Sequence, residues 1–102
     1  MKKIPVIAIF DIGKTNKKLF LFDEQYRVVF EKTVTLDEKE DEDGFPCENL
    51  ESLCSFIYDS FRGVLRQDEF DIKAVNFSAY GASFVYIGVD GKPVAPLYNY
   101  LK

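Results

Sequence analysis

The stretch Ile4 to Asp23, IPVIAIFDIGKTNKKLFLFD, constrains the fold more than any other part of this chain. Ile4, Val6, Ile7, Ile9 and Phe10 are β-branched or aromatic and Leu19 to Phe22 is continuously apolar, as expected of central strands covered on both faces. Between them lies Asp11-Ile12-Gly13-Lys14-Thr15-Asn16, a polar loop in which chemistry can gather. Gly13-Lys14-Thr15 is not a nucleotide P-loop, because that motif needs a glycine where Ala8 stands and a helix where a second strand follows. The alternative is a tight turn between antiparallel strands. There Gly13 relieves crowding, the N–H groups near Lys14 and Thr15 point at an anion, and Asp11 faces a hydrated magnesium ion. An ordinary hairpin would use the same Gly and Asn for the turn alone, and spacing does not separate the two readings.

Farther along, Asp37 to Gly44 (DEKEDEDG) is too polar to bury and lacks the ligand spacing of a calcium loop, so it is predicted to be solvated and without chemistry. From Asn49, a residue suited to capping, Leu50, Leu53, Cys54, Ile57, Phe61, Val64 and Leu65 recur at helical steps. That stripe should cover one sheet face, leaving Phe56 and Tyr58 off it. The predicted order is strand 4–11, strand 17–23, strand 27–35, acidic loop, helix 49–67, strand 72–79 and a hairpin over 84–98, in which Asp90-Gly91 supplies the turn. Three antiparallel strands, a crossover helix and a strand parallel to the first make an α/β unit, the opening half of an RNase H-like domain.

Composition removes whole classes of function. With 102 residues, 47% of them hydrophobic and 16% aromatic, the chain has the means for the core of one domain. A net charge of -4 argues against a nucleic-acid surface. No run approaches the ~20 apolar residues of a membrane span, and Met1-Lys2-Lys3 leads into a strand rather than a secretory leader, so the cytoplasm is the expected location. Cys47 and Cys54 read as reduced thiols; without any His, zinc lacks a ligand set and His-dependent nucleophilic catalysis lacks its base.

Asp11 to Lys18, D-I-G-K-T-N-K-K, resembles the first phosphate motif of the actin, heat-shock chaperone and sugar kinase superfamily, and most of all the Asp-x-Gly-Thr-Thr-Ser-x-Lys/Arg loop of the FGGY carbohydrate kinases. Asp11, Gly13, Thr15 and Lys18 match that pattern, whereas Lys14 replaces a Thr and Asn16 a Ser. A second block, Ala74 to Tyr86 followed by Val89-Asp90-Gly91-Lys92-Pro93-Val94, resembles the segment that lines the sugar pocket in that family. Tyr80-Gly81-Ala82-Ser83 is closest in flavour to the aromatic-Gly-x-Asp of rhamnulose and fuculose-type kinases, with Ser83 where their Asp stands. An aromatic ring there stacks on a sugar, Gly81 admits the backbone and Ser83 offers a hydroxyl; Tyr80 serves equally well as a core residue.

The resemblance implies ATP and Mg²⁺ as cofactors and a sugar as acceptor. Gly13, Lys14, Thr15, Asn16 and Lys18 would hold phosphate, Asp11 would hold the metal through water, and Tyr80, Gly81, Ala82 and Ser83 would hold the sugar. It also implies that the chain is the N-terminal portion of a kinase domain whose general base and second domain lie downstream, so that this piece alone is inactive. A sheet cut at this point should expose an edge, and the apolar Leu97 to Leu101 should lack packing partners, favouring self-association. Another ATPase of actin-like fold and a non-catalytic interaction module are the alternatives.

Overall fold

The computed structural model describes residues 2–98. Its elements are β1 (Ile4–Ile12), β2 (Lys17–Phe22), β3 (Val28–Val34), β4 (Lys39–Glu40), β5 (Pro46–Cys47), α1 (Leu50–Leu65) and β6 (Phe70–Ala79). The main sheet has the order β3-β2-β1-β6, with β1–β2 and β2–β3 antiparallel and β6 parallel to β1. A parallel neighbour demands a crossover, and α1 supplies it. The predicted α/β arrangement is therefore the observed one, with strand ends displaced by only one or two residues.

Alternation along the strands decides where the core sits. Val6, Ala8, Phe10 and Ile12 of β1 and Leu19 and Leu21 of β2 are buried on one face, beneath Phe56 and Val64 of α1. Phe10 is the hub: its ring meets Phe56 edge-on at 6.1 Å and stacks on Phe77 at 5.2 Å between centroids. The opposite face has no such cover: Ile7 is 37% exposed, and Ile9, Phe20 and Phe22 are only half-buried. β1 and β2 are thus not covered on both faces, and their pattern is that of a sheet with one dry side.

Three expectations are corrected. The inward stripe of α1 runs through Leu53, Phe56, Ile57, Ser60, Phe61 and Val64, so Phe56 lies at its centre while Cys54 and Leu65 are exposed. The acidic segment is not a bare loop, because Lys39–Glu40 pairs with Pro46–Cys47 around a turn closed by Asp41, although its side chains are largely solvated as expected. Over 84–98 the expected hairpin forms in short form: an antiparallel bridge joins Ile87 to Pro93, the Val94 N–H donates to the Tyr86 carbonyl, and in the turn at Asp90-Gly91 only Gly91 has a positive φ, of 79°. Leu97, expected to lack packing partners, is buried and accepts a hydrogen bond from the Glu48 N–H, and Tyr98 donates its hydroxyl to Asp41; residues 99–101 lie outside the described residues. No helix among the described residues is long and apolar enough to cross a membrane.

Candidate functional site

β1 and β6 are parallel, so their carboxyl ends arrive at the same edge of the sheet, the end at which open α/β sheets bind ligands. The β1–β2 turn begins there, and β6 delivers Tyr80 beside it through a hydrogen bond from the Tyr80 N–H to the Ile12 carbonyl. The fold thus brings the two sequence-predicted clusters together.

The turn is pinched shut by the Gly13 N–H donating to the Asn16 carbonyl at 2.9 Å. A Cβ on residue 13 would lie 2.8 Å from that oxygen, a backbone atom that cannot swing aside, so the position requires glycine. The N–H groups of Lys14, Thr15 and Asn16 have no acceptor among the described residues. Unpaired backbone donors grouped in one turn form a concave, positively polarised surface for an anion. The Asn16 side-chain oxygen is occupied by the Thr35 hydroxyl at 3.1 Å, which leaves its NH₂ as a further outward donor.

Pairing register places Thr33, Lys18, Asp11 and Ser78 in one row across the uncovered face, next to the turn. No hydrogen bond or ion pair engages the half-buried Asp11 carboxylate among the described residues. A single free carboxylate beside unpaired N–H groups has the donor chemistry that suits hydrated magnesium, which keeps most of its waters and takes few protein ligands. No cluster of three or more metal-ligating side chains occurs among the described residues, so an all-protein metal cage is not what this donor set builds. Lys18 projects from the same face with its ammonium 5.8 Å from the Phe20 ring. Lys14 is half-buried, and Thr15 is exposed at the tip.

Sequence reasoning missed two residues. Lys17 is 1% exposed, and its ammonium donates to Glu48 Oε1 at 3.2 Å and to the Lys14 carbonyl at 3.0 Å. Glu48, also buried, accepts from the Tyr80 hydroxyl on the same oxygen at 2.7 Å. The signal was present in the pattern: Lys17 shares the inward face of β2 with Leu19 and Leu21, and a charge there demands a buried partner. Burial and the neighbouring Glu48 carboxylate push the Tyr80 phenol well above its usual range, so it stays a donor at any physiological pH.

The remaining residues of the second cluster, Gly81 to Ser83, are less regular than expected. A side chain on Gly81 would meet nothing within 4 Å, so close approach does not require this glycine; the left-handed backbone falls instead on Ala82, with φ 60°. Ser83 is half-buried, with its Oγ enclosed beside the Tyr80 phenol. The site is open. A cleft of about 320 Å³ lined by Pro5, Ile7, Phe22, Asp23 and Lys73 lies at the far end of the sheet, away from these groups.

This arrangement is a partial RNase H-like α/β unit, a fold that it shares with solved sugar kinases. Among solved structures, a ligand-bound xylulose kinase from Lactobacillus acidophilus matches 93% of this chain with TM-score 0.78 and 17% identity, over 19% of its own length. A carbohydrate kinase from Novosphingobium aromaticivorans matches 98% of the chain (TM-score 0.78, 17% identity, 20% of its length). Plasmodium falciparum glycerol kinase with ADP matches 94% (TM-score 0.75, 18% identity, 20% of its length). The chain therefore spans about a fifth of the length of the kinases whose fold it shares. No protein-family model and no curated protein sequence matches it.

Proposed function

We propose that this chain is the N-terminal part of a cytoplasmic carbohydrate kinase of FGGY type, which supplies one wall of a split cleft and transfers no phosphate by itself. The observation that carries this reading is the glycine-pinched turn with its unpaired N–H groups beside the free Asp11 carboxylate, on a fold shared with sugar kinases. In the complete site a sugar hydroxyl oxygen bonds to the γ-phosphorus of ATP as the bond to the bridging oxygen breaks and ADP leaves, so positioning and charge stabilisation supply most of the catalysis. The amides of residues 14–16 and the Asn16 NH₂ hold phosphate oxygens, and Lys14 and Lys18 offset their charge. Asp11 holds a hydrated magnesium ion, which when bound neutralises phosphate charge. Tyr80 to Ser83 form part of the acceptor wall. The enclosed Ser83 hydroxyl replaces the carboxylate found there in rhamnulose-type kinases, so the acceptor is held by neutral hydrogen bonds at that point.

The hydroxyl's proton needs a base that none of these residues provides, which is why the chain alone is inactive. Titration of the ¹⁵N-labelled chain with Mg-ATP tests the reading. The expected result is weak binding with the largest amide shifts at residues 11–18, lost in Asp11→Asn when magnesium is present, and no ADP release with any sugar. Shifts confined to the distant cleft lined by Pro5, Ile7, Phe22, Asp23 and Lys73, or sugar-dependent ADP release, would overturn it.

A further inference from the structure

Lys17 is expensive to bury, and its location specifies what it does. Taking an ammonium out of water is unfavourable unless a partner and further hydrogen bonds compensate. Here the compensation comes from the Glu48 carboxylate and from one backbone oxygen, that of Lys14 at the middle of the turn. A trans peptide holds its C=O and the following N–H antiparallel. Drawing the Lys14 carbonyl inward to Lys17 therefore turns the Thr15 N–H outward, and that N–H has no acceptor among the described residues. A carbonyl bound to a cation also polarises its own peptide, which makes the N–H a stronger donor. Glu48 in turn is held by Tyr80 at the start of the second loop and by its own N–H donating to Leu97.

We propose that Lys17, Glu48 and Tyr80 form a buried relay of positioning residues, in which Lys17 aims and polarises the Thr15 amide toward a phosphate oxygen while Glu48 and Tyr80 tie that peptide to the acceptor-side loop. Lys17 itself touches no ligand; its charge is spent inside the protein, and Lys14 and Lys18 face the anion. The inference rests on the phosphate-turn reading above and deepens it, since it names the particular donor and links the two halves of the site.

The test is a ¹⁵N titration of the chain with Mg-ATP, read amide by amide. The relay predicts that Thr15 shows the largest downfield movement in the turn, and that Glu48 and Ala82 amides, which touch no phosphate, move with the same apparent Kd. Lys17→Met should weaken binding about tenfold and abolish the Thr15 shift, with Lys17→Arg restoring both, the scale expected for losing a hydrogen bond to a charged group. Should Lys17→Met fail to fold, Tyr80→Phe keeps the ion pair and decides the matter: the Thr15 shift stays and the Ala82 shift disappears. Movement of Lys14, Asn16 and Lys18 amides with Thr15 unmoved overturns the relay alone, as does an Ala82 shift that survives Tyr80→Phe. Silence of every amide from 11 to 18 overturns the phosphate-turn reading and the relay with it.

Discussion

Tyr26 occupies a position that the same chain fills twice elsewhere with glycine. In each of three turns the N–H of the first residue donates to the carbonyl four residues on, and the N–H of the fourth residue donates back to the carbonyl of the first: Asp23 to Arg27, Asp41 to Phe45 and Gly88 to Lys92. The fourth residue is left-handed in all of them, with φ of 61° at Tyr26, 84° at Gly44 and 79° at Gly91. At both aspartate-led turns the Oδ1 accepts the N–H groups of the third and fifth residues. Tyr26 is 82% exposed, so it gains little from burial in return for its backbone strain. Tyr26→Gly should raise stability by about 0.5–1 kcal/mol after the entropy cost of glycine, and Gly44→Ala should lower it by about as much, both read from urea melts. Two other tyrosines make stability sensitive to alkali. The Asp41 carboxylate that accepts the Tyr98 hydroxyl pushes that phenol up to about 12, and Tyr80 is raised in the same direction by burial and Glu48. A raised folded-state value means the contribution is intact below the ordinary phenol range near pH 10 and is lost as pH climbs toward the folded value. Thermal melts should therefore fall steeply between about pH 10 and 12, and Tyr98→Phe should flatten part of that fall.

At the scale of the elements, the helix shows what periodicity can and cannot reveal. Asn49 caps α1 as expected, its Oδ1 accepting the Ser52 N–H, and the helix ends near the anticipated position. Its buried stripe is rotated by about 50°, half of one residue's 100° step. Counting only apolar residues drew the stripe toward Cys54 and Leu65 and excluded Ser60, yet Ser60 is 3% exposed between Phe56 and Val64. A small polar residue among large apolar ones gives no apolar signal even where it is buried against its neighbours. Phe56→Ala should then cost about 3–5 kcal/mol, and Cys54→Ala or Leu65→Ala under ~1 kcal/mol, in denaturant unfolding. Equal losses at Phe56 and Leu65 would restore the original stripe. The strands were legible because alternation and turn chemistry are local, and so was the Gly13 turn. The ion pair from Lys17 to Glu48 was not, since nothing in the residues around Glu48 marks it as the partner of a charge 31 positions away. Likewise Tyr80 stood out as a candidate through its neighbours Gly81 to Ser83, while its hydrogen bond to Glu48 required the crossover to be built first.

The whole molecule is long and thin for its length, 54 × 28 × 19 Å with a radius of gyration of 15.7 Å, where a compact domain of about 100 residues has about 13 Å. The excess comes from a sheet with one covered face. The outer edge of β6 has no partner strand among the described residues, and along it Val75 is 40% and Phe77 54% exposed. A ten-residue strand with open N–H and C=O groups and apolar side chains is a template for pairing with another chain. Ile7, Ile9, Phe20 and Phe22 add a half-buried apolar strip on the uncovered face. Among the described residues the edge carries protection in two places, the Lys73–Asp71 ion pair at 2.8 Å near its start and the Phe77 N–H, which donates to Asn76 Oδ1 at 2.8 Å. Concentration-dependent self-association is the expected behaviour of the chain, seen as a rising weight-average mass in sedimentation velocity. The two surfaces predict different cures: Val75→Lys places a charge on the open edge, whereas Phe20→Lys interrupts the face. If edge pairing dominates, Val75→Lys restores the monomer and Phe20→Lys leaves association within about threefold of wild type, because backbone pairing along a strand is blocked by edge charge and indifferent to a side chain two strands away. A monomer at every concentration with wild-type sequence would mean that the twist of β6 already hides its edge.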